Sequence, residues 1–233
     1  MCAVFPAALC LAQPAFEAAS IKPSAATDNG SSWRMQPGRL TMVSESIRQI
    51  IQAAYTVQDY QYSGPGWLEN ERYDINATTD IRGDGRQMLL MLQRLLTERF
   101  KLVVHTESRS MPGYALVVAK GGLKVRPVDG EGSNYNESRN KVTATHLDMA
   151  RFTKFLANLL AQPVADETGV KDGFSFVLQY ANPRSQPAEK SDGNEVLPSI
   201  FTAITEQLGL KLEGRKVPVE MLVVDRVERP SEN

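Results

Sequence analysis

Apolar and polar residues follow two rhythms along this chain. Ile47, Ile50, Ile51 and Ala54 fall at i, i+3, i+4 and i+7, the single apolar stripe of a helix. Ser46 with Gln49 three residues on makes a capping box, so the spacing predicts a helix from Ser46 to about Tyr55. A second helix is predicted from Arg86 to Phe100, where Met88, Leu89, Leu92, Leu95, Leu96 and Phe100 give a broad apolar face. Asp148 caps a third, with Met149, Phe152, Leu156 and Leu159 as its stripe. Strands are predicted over Phe16–Ile21, Trp33–Met35, Arg39–Val43, Tyr73–Thr78, Lys141–His146 and Phe174–Leu178. Gln36-Pro37-Gly38 reads as the turn between the second and third of these.

One stretch is written twice. Residues 86–120 read as helix, strand, tight turn and strand, and Ser199–Val227 reads the same way. With Glu98 set on Glu206, Leu102 falls on Leu210; a shorter turn later, Pro112–Val118 falls on Pro218–Val224. Upstream, Lys141–His146 falls on Arg39–Ser44, Asp148 on Ser46, and Phe174–Leu178 on Tyr73–Thr78. The expected fold class is therefore α+β: a tandem pseudo-duplication of a strand-helix-strand-helix-hairpin unit, with helices packed on mostly antiparallel sheet. The expected organisation is a leader or tail over 1–14, a first half over 15–127, a polar, turn-rich linker over 128–140 and a second half over 141–229. Residues 182–195 are poor in apolar side chains and are expected to be either a flexible loop or a disordered stretch. Leu92, Leu95, Leu96, Phe100, Phe152, Leu156, Leu208 and Val223 are the expected core.

Composition narrows the functional classes. The chain has 233 residues, 42% hydrophobic and 23% charged, as in ordinary soluble domains, and can bury a sizeable core. Its 26 basic residues balance 27 acidic ones, so no field draws it to nucleic acid or to an anionic bilayer. No apolar run reaches the ~20 residues of a membrane helix, so stable membrane insertion is not expected. The opening MCAVFPAALCLA resembles the apolar part of a secretory signal, with Cys10 and Ala12 suiting a cleavage site but no positive n-region. A disordered tail is the alternative. Cys2 and Cys10 both lie there, so cleavage would leave no thiol and no disulfide.

The segments FEAASIKPS, YSGPGWLENERYDINA, LLTERFKLVVHTESRSMPGYALVVAKGG and PVEMLVVDRVERPSEN occur in that order from Phe16 to Asn233. Together they resemble a family of soil-bacterial proteins, abundant in Acidobacteria and associated with Solibacter: the domain of unknown function DUF3738. The resemblance implies export, hence a periplasmic or secreted location, and a sensing role suggested by relatives that follow membrane metallopeptidase sensor regions. It carries no catalytic residues across. The strand–helix–strand halves also resemble the short N-terminal domains of secretins and TonB-dependent receptors, which makes an envelope partner an expectation.

Candidate chemistry is sparse. His105 and His146 lack a second histidine or cysteine at zinc-ligand spacing; each reads either as a strand histidine satisfied by hydrogen bonds or as a general base. No nucleophile elbow, P-loop or dinucleotide glycine pattern occurs. Asp166, Glu167 and Asp172 crowd one turn, as do Asp80 with Asp84 and Asp129 with Glu131. Such oxygen-rich loops are either simply solvated or suited to calcium, the one candidate cofactor. The most unusual local feature is aromatic: Tyr55, Tyr60, Tyr62, Trp67 and Tyr73 cluster around Gly64-Pro65-Gly66, with no equivalent between Ala161 and Gly173. Tyr60, Tyr62, Trp67 and Tyr73 are therefore the candidate ligand contacts, against the alternative that they fill a satellite core under a long loop. These features point first to a small-molecule binding or sensing module. The second reading is a hydrolase of esters or lactones, such as acyl-lactone signals, with or without calcium; a structural envelope protein is the third.

Overall fold

The computed structural model describes residues 14–24, 30–81, 84–128, 134–138, 140–183 and 197–230. The leader-like segment up to residue 13, the acidic pair Asp129 and Glu131, and all but the start of the loop expected over 182–195 lie outside the described residues. Among the described residues no helix is long and apolar enough to cross a membrane. The chain forms two compact units: residues 1–107 with 221–233, and residues 108–220.

Unit 1 is built on β1 (Ala18–Pro23), β2 (Ser32–Gln36), β3 (Arg39–Ser46), α1 (Ile47–Tyr55), β4 (Tyr62–Ser63), β5 (Arg72–Thr78), α2 (Gly85–Phe100) and the first part of β6 (Val103–Val118). Four of its strands form an antiparallel sheet in the order β1-β5-β3-β2. Leu40 and Met42 on β3 and Tyr73, Ile75 and Ala77 on β5 point inward, the period-two pattern of a half-buried sheet. The Ser46 side chain accepts from Gln49 N, and the Gln49 side chain accepts from Ser46 N at 3.0 Å, closing the expected capping box. The stripe Ile47, Ile50, Ile51 and Ala54 is buried in full. On α2, Met88, Met91, Leu92, Leu95, Leu96 and Phe100 are buried, whereas Leu89 sits half-way out. The Phe100 ring meets Tyr73 edge-on, with centroids 5.4 Å apart.

Unit 2 contains the rest of β6, β7 (Pro127–Val128), β8 (Asn134–Ser138), β9 (Lys141–Leu147), α3 (Met149–Leu160), β10 (Val164–Asp166), β11 (Gly173–Gln179), α4 (Ile200–Ala203) with a π-helical turn at Ile204–Leu208, and the start of β12 (Leu210–Arg226). Its sheet runs β7-β11-β9-β8, again antiparallel. Asp148 caps α3 through Arg151 N at 2.7 Å. Met149, Phe152, Leu156 and Leu159 are buried as the stripe requires, over a core with Phe174, Leu178, Tyr180 and Ile204.

The order of elements in the two units corresponds, and so do their backbone exceptions. Ser44 and His146, each two residues before a helix cap, both have positive φ (54° and 49°). Thr56 and Ala161, which end α1 and α3, share it (56° and 52°), as do Lys101 and Gly209 after the next helices (51° and 71°).

Three expectations fail. The two expected hairpins are not hairpins: β6 and β12 are single continuous strands through Pro112 and Pro218. Gly113 is there for close approach, since a Cβ would stand 2.6 Å from the Pro163 carbonyl oxygen, which accepts from Tyr114 N at 2.8 Å. Secondly, the stretch expected as a linker carries β8, paired with β9 from Asn134 opposite Thr145 to Ser138 opposite Lys141. Its residues are all exposed, so an edge strand with no apolar alternation looked like a loop. The units divide inside β6, after Glu107, and inside β12, after Glu220. Thirdly, Val223 is half-buried, because Leu222 and Val224 take the inward positions beside it.

Candidate functional site

The aromatic segment of unit 1 is built between α1 and β5. α1 ends where Thr56 turns left-handed, and the chain continues through two 3-10 turns, Asp59–Gln61 and Gly66–Glu69, with β4 between them. β4 pairs in parallel with β12, Tyr62 opposite Leu222. Leu68 is completely buried and pins the second turn. Tyr55, Val57, Tyr62 and Trp67 pack half-buried on the unit 1 core.

Two arginine–carboxylate clusters brace this segment. The outward face of α1 supplies Arg48, which pairs with Glu69 and reaches Asp59 at 3.4 Å, while Gln52 donates to Asp59 at 2.8 Å. The Arg48 guanidinium lies over the Tyr62 ring, 5.3 Å from its centroid. Past β12, Arg229 grips Glu71: Nε lies 2.8 Å from Oε1 and 3.1 Å from Oε2, and Nη2 lies 2.5 Å from Oε1. Its guanidinium stands 5.1 Å from the centre of the Trp67 ring. Glu71 also accepts from the Tyr73 hydroxyl at 3.4 Å.

Burial sets the electrostatics. The Tyr62 hydroxyl is enclosed without a hydrogen-bond partner among the described residues. Desolvation pushes its pKa up to about 12, with Arg48 opposing and Glu69 reinforcing. Burial likewise raises Tyr55 and Tyr60. The hydrogen bond and charge of Glu71 push the Arg229 guanidinium further up still.

Of the four expected ligand contacts, Tyr60, Tyr62 and Trp67 share this half-buried segment. Tyr73 does not: it is 5% exposed and belongs to the core, with only its hydroxyl reaching the cluster through Glu71. Arg48, Arg229 and Glu71 escaped sequence reasoning. Arg48 showed only as a polar position on an amphipathic helix, and nothing local ties Arg229 to a carboxylate 158 residues away.

The histidines fall in different units. In unit 1, the exposed His105 on β6 places Nδ1 2.9 Å from both carboxylate oxygens of Asp225 on β12. In unit 2, His146 occupies its left-handed position with its backbone N–H donating to Ser175 Oγ at 3.1 Å. Its ring lies against Gly173, where a Cβ would stand 3.1 Å away. In the acidic turn, Asp166 Oδ1 accepts from Thr168 N (2.9 Å) and Oγ1 (2.7 Å), and Glu167 pairs with Arg215 at 2.6 Å. Among the described residues no three His, Cys, Asp or Glu side chains gather as metal ligands would. A polar cleft of about 500 Å³, lined by Glu17, Pro37, Arg39, Thr79 and Asp80 among others, takes in Asp80 of a second acidic turn but neither histidine, none of the aromatic candidates and none of Asp166, Glu167 and Asp172.

Compared with protein-family models, residues 48–227 match the one described as Protein of unknown function (DUF3738). No curated protein and no solved structure matches the chain.

Proposed function

The chain belongs to the DUF3738 family, whose function is unknown, and we propose from the geometry of unit 1 that it is a small-ligand binding or sensing module. Trp67 carries this reading. Its ring is half-buried on a core, one position before a fully buried leucine, inside a segment that Arg48 ties through Asp59 and Glu69 and Arg229 ties through Glu71. An aromatic surface held in place before binding loses little freedom when a ligand stacks on it. Tyr60 and Tyr62 lie in the same half-buried segment.

The paired order of elements and the paired left-handed residues support an internal duplication. On that reading β10 is the counterpart of β4, and the two 3-10 turns with their aromatic side chains are what one copy holds alone, which favours them as the site. Export, a soil-bacterial origin and an envelope partner rest on the sequence resemblance and the leader-like opening. The test is Trp67→Ala, followed by melting temperature and by affinity for hits from a thermal-shift screen of sugars, peptides and acyl compounds. Loss of a buried stacking contact should weaken binding by about 2 kcal/mol. Unchanged affinity in a folded mutant overturns the reading.

One observation favours hydrolysis as a second reading. An ionised Asp225 can only accept, so it holds the His105 tautomer with Nδ1 protonated and leaves the Nε2 lone pair free to activate water. Calcium assistance rests on the Asp166–Asp172 turn alone. Hydrolysis of p-nitrophenyl acetate and of acyl-lactones, with and without chelator, should fall in His105→Ala. A wild-type rate equal to buffer ends this reading.

A further inference from the structure

We infer that Trp67 and Glu71 form a guanidinium site, filled within the chain by Arg229, and that the ligands of this module carry a guanidinium group. The inference rests on the binding reading above and names its ligand class.

The two sides of the contact differ in how they are held. Glu71 is fixed by the fold: its N–H donates to the Trp67 carbonyl at 3.3 Å, and its own carbonyl accepts from Ile47 N at 3.2 Å. Its carboxylate is backed by the Tyr73 hydroxyl, and its side chain is only 27% exposed. Trp67 is seated on the core. The ring and the carboxylate thus share one planar cation, which lies over the indole and reaches both carboxylate oxygens. Lysine, a point charge, would lose the fork.

The occupant is the solvent-facing partner of the pair. The Arg229 side chain is 68% exposed. It lies past the end of β12, in a segment tied back by the Glu228 N–H donating to the Phe100 carbonyl at 2.7 Å. Exposed ion pairs and exposed cation–π contacts are weak, so such an occupant exchanges readily with a competitor of the same chemistry. The other guanidinium in the segment behaves differently: Arg48 sits on a helix, is 26% exposed and has both Glu69 and Asp59 as partners. Arg229 therefore acts as a tethered stand-in for the ligand.

The chain has two tryptophans, and Trp33 is half-exposed on β2, so Trp33→Phe leaves Trp67 as a clean fluorescent reporter. In that background, N-acetyl-arginine amide is titrated against the full chain with Arg229 present, with Arg229→Ala and with Arg229→Gln. N-acetyl-lysine amide and N-acetyl-glutamine amide serve as controls. The expected result is saturable quenching by the arginine probe, on the order of fivefold tighter once Arg229 is removed. The lysine probe should be weaker and the glutamine probe inert, and Glu71→Gln added to Arg229→Ala should abolish the response. If both folded Arg229 variants show no saturable response, or if Glu71→Gln leaves it unchanged, the inference is overturned. Should Trp67 then still report a neutral ligand from the screen, only the guanidinium assignment falls and the binding reading stands.

Discussion

Replacing Phe100 by alanine tests the packing of unit 1 most directly. Phe100 ends α2, is fully buried and meets Tyr73 edge-on at 5.4 Å. A Phe→Ala change in a core costs about 3–5 kcal/mol through lost transfer energy and the cavity left behind. The edge-on pair supplies about 0.5–1.5 kcal/mol of that. Alanine keeps the backbone carbonyl that accepts from Glu228, so the Arg229 strap survives and packing alone is removed. With a urea m-value of roughly 2 kcal/mol/M for a unit of this size, the midpoint should fall by about 1.5–2.5 M. Trp33 and Trp67 both belong to unit 1, so tryptophan emission follows that unit alone. Phe100→Leu, which keeps most of the apolar volume, should recover more than half of the loss. A Phe100→Ala midpoint within about 0.5 M of wild type would refute the placement of this ring at the centre of the core.

Three further outcomes are expected. Ser46→Ala removes one half of the capping box and should cost about 1 kcal/mol, read as a drop of several degrees in the melting of unit 1. Gly209 has φ 71°, and a Cβ there would stand 2.1 Å from the Gly122 carbonyl oxygen. Gly209→Ala should therefore lose clearly more than the roughly 1–2 kcal/mol of left-handed strain, whereas Gly30→Ala, at φ 68° in open space, should stay near that figure. Tyr62 and Tyr180, held up to about 12 chiefly by burial, keep their protons while unfolded tyrosine ionises near 10. Their contribution to stability is complete below pH 10 and is lost as the pH rises towards 12, with late titration at 295 nm as the check. Tyr62→Phe removes unit 1's share and, by deleting an unpartnered buried hydroxyl, should raise stability at neutral pH by about 1 kcal/mol.

The helices were legible because their signals are local. Ser46, Asp148 and the stripes behind them lie within a few residues of one another, and each formed as the spacing required. The strands at Arg39–Ser46, Arg72–Thr78 and Lys141–Leu147 were legible for the same reason. The continuous β6 was not, because Pro112 and Gly113 carry turn chemistry in sequence while in space Gly113 makes room for a carbonyl from elsewhere in unit 2. Period-two alternation also cannot say which unit a strand residue joins, so the passages after Glu107 and Glu220 left no trace. At the candidate site, composition singled out Trp67 but missed what holds it. Arg229 and Glu71 are an ordinary exposed cation and an ordinary carboxylate until the fold sets them against each other.

The discontinuous make-up of unit 1 bears on how the chain is completed during synthesis. Leu222 and Val224 belong to its core, yet they are made only after the whole of residues 108–220. At ribosomal speeds of about 5–20 residues per second, the earlier part of unit 1 waits roughly 6–23 s for its closing strand. Unit 2, contiguous in sequence, has all its residues before then. The half of the protein that starts first is thus the half that finishes last. In the interval its nascent sheet and two helices expose the apolar surface that β12 will cover, which is where a chaperone has its opportunity.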